Sequence, residues 1–515
     1  MKDAGQFTGL GDLAEAVSRR LATLEEQDVV RRIWARDHTV WREDPTEIID
    51  RLGWLNVHEA MLEQVPRLRE FAEKCAADGF RTAVLAGMGG SSLAPEVFRR
   101  TFGVSDGALD LIVLDSTHPD QVLGVRRSLD LHRTLFVIAS KSGTTTETLS
   151  HFAYFWEQIP DGAHFVAITD PGTPLVDLAE ERGFRETFLN PPDIGGRYSA
   201  LSYFGLVNAA LIGADLDSLL SGAVQMAGAC GPSVPAEANP AVRLGVVMGE
   251  AALAGRDKLT LVIGEQVASF GYWVEQLIAE STGKEGKGIL PVEGEALDSP
   301  DVYGDDRLFV AVGDMGGPEL SALEAAGHPI VRIPLAMTTS IGGEMFRWEL
   351  ATAVSGAVIG IQPFDQPDVQ SAKDATKAAL EREDDGEVDR GDLPELLGQA
   401  RPGNYLAIQA YAPRDQDMED RLHAVRLRLR DRSKVATTVG FGPRFLHSTG
   451  QFHKGGPNSG LFVQVVEEPR EDTPVPGKPY TFGRLIRAQA DGDLLALRDR
   501  GRRAARVSLE ELESV

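Results

Sequence analysis

From Ser140 to Thr148 the chain reads Ser-Lys-Ser-Gly-Thr-Thr-Thr-Glu-Thr, six hydroxyls and a lysine in nine residues. Hydroxyls at this density are donors for an oxyanion, and Lys141 adds a full positive charge. A capped turn needs one Ser or Thr, so the density favours a phosphate-type ligand over an ordinary cap. Gly87-Met88-Gly89-Gly90-Ser91-Ser92 is glycine-rich but is not G-x-G-x-x-G, and no acidic residue is placed for a ribose hydroxyl. It reads as a second backbone cradle or as a plain tight turn. Asp193-Ile194-Gly195-Gly196-Arg197-Tyr198-Ser199 sets an arginine after two glycines, where backbone can approach a ligand, though surface arginines are common. Glu280-Ser281-Thr282-Gly283-Lys284 ends a helical stretch from Tyr272, so Glu280 is either a base or a helix-end carboxylate. His453 lies in Thr449-Gly450-Gln451-Phe452-His453-Lys454-Gly455-Gly456-Pro457, and a histidine so flanked is expected outside the core. His447 is its nearest competitor. No His-x-x-x-His or Cys/His cluster suggests a metal, and none is expected.

The elements around these residues alternate. Thr134 to Ala139 is a short apolar, β-rich run of the buried parallel type, and Leu149 to Trp156 is helix-compatible. A strand, a hydroxyl-rich turn and a helix start make a natural anion site, because backbone N–H groups and the helix dipole converge there. Thr82–Ala86, Leu111–Leu114 and Phe165–Thr169 read as companion strands separated by helical segments, hence a parallel sheet with ligands outside its carboxyl ends. A second sheet is expected from Leu259–Gly264, Leu308–Val312 and Pro329–Ile333, with a long helix beginning near Gly342. Tyr405–Tyr411 and Val435–Val439 read as further strands around a basic helix, Arg421–Arg432. The expected organisation is a helical lead-in over 1–50, a first α/β domain over 51–235 carrying the phosphate loops, and a second over 236–515. Within the second, the acidic stretch 381–395 is nearly devoid of apolar residues and reads as a loop or linker. Trp54 to Cys75 reads as one core helix.

Composition bounds the function. Lys and Arg total 52 against 77 Asp and Glu, a formal charge of −25, which opposes binding to nucleic acids or anionic membranes. One local pocket can still be positive, so a small phosphate ester is compatible. With two cysteines, no apolar run of membrane-spanning length and no signal-peptide layout at Met1, a cytoplasmic protein is expected.

Gly87–Ser91, Ser140–Thr145, Gly195–Ser199 and Glu280–Lys284 together resemble the glucose-6-phosphate isomerase family, in the branch related to the isomerase part of transaldolase–isomerase fusions. Pro363-Phe364-Asp365-Gln366-Pro367-Asp368-Val369-Gln370-Ser371-Ala372-Lys373 resembles that family's lysine-bearing helix start. The likeness runs in family order and includes no transaldolase barrel. It implies two sugar-isomerase (SIS) type α/β domains, each a parallel sheet flanked by helices, a sugar-phosphate substrate, no cofactor and a homodimer. By the same resemblance, Ser91, Ser140, Lys141, Ser142 and Thr145 hold the phosphate, Arg197 stabilises an enediolate, Glu280 moves the proton between C2 and C1, and Lys373 assists at the ring oxygen. The family carries its ring-opening histidine between the Glu and the Lys. Here the closest likeness to that pattern is His453, beyond Lys373. Two alternatives stand beside glucose 6-phosphate and fructose 6-phosphate isomerisation: an isomerase that also takes mannose 6-phosphate, and a non-catalytic sugar-phosphate sensor.

Overall fold

The computed structural model describes residues 6–313, 316–368, 376–380 and 389–515. Its first sheet is built from β2 (Thr82–Gly87), β3 (Asp110–Leu114), β4 (Thr134–Ala139), β5 (Phe165–Thr169) and β6 (Glu186–Leu189), in the order β3-β2-β4-β5-β6 with every pair parallel. β2, β4 and β5 are buried almost throughout, so their runs of Val, Ile, Leu, Phe and Ala show no alternation. The chain steps from β2 outward to β3, then returns to β4 and continues the other way. That reversal lies between β2 and β4, whose carboxyl ends carry the glycine-rich and hydroxyl-rich loops. Such a reversal opens a crevice for a ligand.

The second sheet contains β7 (Lys258–Ile263), β8 (Leu290–Val292), β9 (Arg307–Val312) and β10 (Ile330–Ile333), with β1 (Gln6–Gly9) added antiparallel on β10, in the order β1-β10-β9-β7-β8. The amino-terminal segment is therefore not purely helical: it begins by closing the edge of a sheet more than three hundred residues downstream. The expected single helix from Trp54 to Cys75 is broken into Val57–Leu62 and Val65–Ala77. Pro66 explains the break, since it opens the second helix and cannot continue the first.

The span 236–515, expected to hold one sheet, holds two. β11 (Tyr405–Tyr411), β12 (Ala436–Phe441), β13 (Gly460–Val466) and β14 (Arg503–Val507) form a separate parallel sheet, β12-β11-β13-β14. It has its own core, in which Leu406, Ile408, Leu461 and Val463 pack against Leu422, Val425 and Leu429 of the helix Gln416–Ser433. Its other face is joined to the body: Tyr405, Phe452 and Phe462 share a cluster with Ala279 of the helix Phe270–Thr282 and with Leu290 and Val292 of β8. Phe482 packs into the core of the first sheet beside Phe136 and Phe155. Most of the acidic stretch 381–395 lies outside the described residues. Its end forms the short helix Leu393–Leu397, which buries Leu393 and Leu396 in the third core.

Candidate active site

The hydroxyl-rich turn leads into the helix Thr146–Gln158, with Thr145 at its N-cap position. Ser140 is buried and its Oγ lies 2.8 Å from Oγ1 of Thr145, while Ser142 and Thr144, 2.9 Å apart through their hydroxyls, remain exposed. Hydroxyls and the first free N–H groups of that helix thus share one end, the arrangement that binds phosphate. Lys141 does not join them directly. Its Nζ is paired with Asp170 and donates to the carbonyl of Pro192 at 3.1 Å. Burial pushes the Asp170 carboxyl above its usual range against the pull of that lysine.

The glycine-rich turn packs on the arginine-bearing one. A Cβ added at Gly90 would fall 1.9 Å from the carbonyl oxygen of Gly196, so only glycine allows this approach. Gly89, at φ +54°, lies under the backbone of His447, where an added Cβ would meet that carbonyl oxygen at 2.7 Å. Ser91 is buried in the same turn.

Arg197 is 1% exposed and its guanidinium is spent on protein. Nε donates to Ser281 Oγ at 2.7 Å, Nη1 to Gln366 Oε1 at 2.9 Å, and Nη2 to the carbonyls of Pro363 and Asp365 at 2.6 and 3.0 Å. Nη1 also lies 3.4 Å from Glu280 Oε1. Nε and both Nη groups are thus engaged on protein, by four hydrogen bonds and the longer ion-pair contact to Glu280. Glu280, near the end of Phe270–Thr282, is 7% exposed, and its second oxygen accepts from Gln276 Nε2 at 3.0 Å, one helical turn back. Gln276 Nε2 also donates to the His447 carbonyl at 2.9 Å. Lys284 is buried, with Nζ on both the carbonyl and the carboxylate of Asp365 at 2.7 and 2.6 Å. Burial and the nearby Arg197 push its ammonium down to about 8, against the pull of Asp365.

The two histidines part company. His453 is buried in the third sheet's interior, its ring packed against Phe462, Phe445 and Tyr405, and its Nδ1 3.2 Å from Gln409 Nε2. Burial, with Lys454 and Arg502 nearby, holds it well below its ordinary pKa and hence neutral. The expectation that glycine and lysine neighbours keep it out of the core is corrected. Residues 450–455 are helical, and that helix turns the ring inward. His447 instead faces the hydroxyl-rich helix, with Nε2 3.0 Å from Oε1 of Glu147. Gln489 Nε2 donates to the same oxygen at 2.8 Å. Burial pushes Glu147 up, but His447 outweighs it, leaving the carboxylate below its ordinary range.

The structure therefore gathers Ser140, Thr145, Ser91, Arg197 and Glu280 around adjoining loops, sets Lys141 on Asp170 and removes His453. Lys373 lies outside the described residues. Sequence reasoning assigned no role to Glu147, Gln276, Asp365 or Gln366. For Gln276 the available signal was its place four residues before Glu280, one turn along the same helix face. Glu147 sits inside the hydroxyl-rich stretch, but its partner lies 300 residues away.

A family model described as phosphoglucose isomerase matches residues 34–293, half of the chain. The chain belongs to that family. A glucose-6-phosphate isomerase of Thermus thermophilus is 29% identical over 421 residues, covering 71% of this chain and 96% of the relative. A probable glucose-6-phosphate isomerase of Haloarcula marismortui is 28% identical over 347 residues, 59% of this chain and 78% of that one. Among solved structures, a hypothetical protein from Thermus thermophilus superposes with a TM-score of 0.63 at 26% identity, covering 73% of this chain and 99% of the other. A Chlamydia trachomatis glucose-6-phosphate isomerase, at TM-score 0.53 and 21% identity over 68% of this chain and 78% of its own, shares the fold. The first two sheets show the parallel α/β arrangement that the resemblance implied, apart from the antiparallel β1 on the second, and the reaction of this family is aldose–ketose isomerisation of glucose 6-phosphate and fructose 6-phosphate.

Proposed function

We propose that this chain isomerises glucose 6-phosphate and fructose 6-phosphate with Glu280 as the proton-transferring base, Arg197 as the cation beside it, and His447 as the ring-opening group in place of His453. The observation that carries the reading is the Glu280 carboxylate, held between Gln276 and Arg197 beside the glycine-rich turn. In the closed sugar the carbonyl does not exist, so an acid–base group must first open the ring. His447 is suited to this because its ring is held by an ionised carboxylate and stays partly exposed. Proton abstraction beside the new carbonyl then needs a positioned carboxylate, and the enediolate needs nearby positive charge. Since the donors of Arg197 are engaged, an enediolate oxygen would take over the weak 3.4 Å contact to Glu280 as that carboxylate accepts its proton.

Phosphate capture by Ser140, Ser142, Thr145 and Ser91 belongs to the same proposal, with Lys141 contributing at longer range from its pair with Asp170. Lys373 at the ring oxygen and a homodimer rest on family resemblance alone, and a cytoplasmic location on composition. The charge of −25 supports a small-molecule substrate over a nucleic acid. The test is a coupled assay converting fructose 6-phosphate to glucose 6-phosphate. Glu280→Gln keeps the hydrogen bond from Gln276 but cannot take a proton, so kcat is expected to fall about 10²–10⁴-fold with KM little changed. Wild-type exchange of the C2 proton with solvent in that variant would remove Glu280 from the role.

A further inference from the structure

Outside the isomerase site, a cavity of about 260 Å³ opens where the third sheet meets the body of the protein. Tyr272 and Glu275 reach it from the helix Phe270–Thr282, Glu293 from the turn after β8, Arg426 from Gln416–Ser433, and Arg444 and Ser448 from the segment after β12. It lies at the carboxyl ends of β11 and β12, the edge at which parallel sheets take ligands. Arg426 is 4% exposed; its Nε is spent on the Thr437 carbonyl at 2.7 Å, but Nη2 has no partner. Arg444 leans on Asp115 at 3.3 Å and also has an unpartnered Nη2. Neither Glu275 nor Glu293 makes a hydrogen bond or ion pair among the described residues. Burying guanidinium N–H groups unpaired is costly, so the two arginines in this wall are ordinarily completed by an occupant, which would also meet the half-buried Glu275 and Glu293.

The chemistry of the wall narrows that occupant. Guanidinium groups only donate, whereas a carboxyl, ionised or protonated, keeps at least one oxygen that only accepts. A bare anion satisfies the arginines and leaves the glutamates without donors. An uncharged polyol serves the glutamates and leaves the arginine charge unbalanced. We propose that this cavity is a second, non-catalytic site for a small anion that also carries hydroxyls, with its carboxylate or phosphate head on Arg426 and Arg444 and its hydroxyls on Glu275 and Glu293. Burial, and for Glu275 the neighbouring Glu293, push these two carboxyls up to about 8 and about 7, so near neutrality they offer the head group little repulsion. Two features tie the cavity to the isomerase site. Glu275 precedes Gln276, and Ser448 follows His447.

The experiment is titration calorimetry of the full chain with gluconate and, separately, with glycerol 3-phosphate, which distinguish a carboxylate from a phosphate head. Acetate, inorganic phosphate and sorbitol are the controls that lack either hydroxyls or head. At least one hydroxyl-bearing anion is expected to bind. Arg426→Leu and Glu293→Leu should each weaken that binding at least about tenfold while leaving isomerase turnover without ligand within about twofold of wild type. Binding should also weaken between pH 6.5 and 8.5, as Glu275 and Glu293 ionise. The other charged groups facing them are Arg100, Arg414, Arg426 and Arg444, the carboxylates Glu419 and Asp420, and His423. Burial lowers the pKa of His423, so that ring is already mostly neutral at the start of this window. Overturning results are no binding by either hydroxyl-bearing anion, equal binding by acetate, inorganic phosphate or sorbitol, or binding that survives both substitutions. Because binding is read directly, failure here leaves the isomerase reading untouched, and an inactive protein that binds gluconate would leave this one standing.

Discussion

Exchanging the fates of the two histidines is the sharpest test of the site. His447→Ala removes a ring that is bound to Glu147 at 3.0 Å and still partly exposed. As an acid–base group it is worth about 10²–10⁴ in rate, a barrier increase of roughly 3–5 kcal/mol. The cost in stability is smaller, because Glu147 keeps its bond from Gln489 and gains access to water. His453→Ala does the reverse. It empties a ring-sized space among Tyr405, Phe445 and Phe462 and strips Gln409 of its partner. Large-to-small changes in such cores cost about 3–5 kcal/mol, and an orphaned buried amide about 1–3 kcal/mol. This variant should therefore show a lowered urea midpoint with kcat within about tenfold of wild type. Two substrates separate the steps. Fructose 6-phosphate must be opened, whereas a four-carbon aldose 4-phosphate cannot close a five-membered ring, because its phosphate occupies the required oxygen. His447→Ala should lose turnover of the first and exchange the C2 proton of the second at nearly the wild-type rate. Equal losses on both would assign His447 to proton transfer or to shaping the site. A hundredfold loss of kcat in His453→Ala, with His447→Ala unaffected, would refute the assignment.

Replacing Ser140 and Thr145 together by Ala should raise KM for fructose 6-phosphate with a lesser fall in kcat, since the phosphate is remote from the reacting carbons but helps position them; an unchanged KM would take the loop out of the site. Stability should fall between pH 6.5 and pH 4. Burial lowers both His58 and His151 to about 4, so over that window the unfolded chain binds protons that the folded chain refuses. At 1.36 kcal/mol per pKa unit each contributes up to about 3 kcal/mol of loss by pH 4. Urea midpoints at pH 7 and pH 5 would check this, and His58→Phe, whose native ring stands edge-on to Phe346, should flatten the fall.

Much of the first sheet and its loops was legible because the signals are local. Thr134–Ala139 followed by a hydroxyl-rich turn is a strand and a helix cap read within fifteen residues, and Glu280 follows its own helix. The rest failed where the decisive partner is distant. Nothing near Gln6–Gly9 announces pairing with Ile330–Arg332. The strands Tyr405–Tyr411 and Ala436–Phe441 were visible, but not that they pair with each other and with Gly460–Val466 in place of extending the second sheet. His453 misled because flanking glycines are a backbone property, whereas burial depends on which face of a six-residue helix meets β11 and β13. The charge of Lys141 is likewise evident in sequence, but its partner Asp170 stands at the end of the next strand.

The Glu147–His447 contact also governs how the protein comes into being. The first sheet is complete by residue 189, and the histidine it awaits is held by a sheet that starts at residue 405. During synthesis or refolding the hydroxyl-rich and glycine-rich loops can form long before His447, the proposed ring-opening group, arrives. On that proposal, catalytic competence is a late event that depends on docking of the last core rather than on chain collapse. A refolding time course should find helix and strand signals recovering before turnover of the cyclic sugar. On gentle destabilisation that turnover should be the first property to vanish, while the bulk of the molecule still holds its shape.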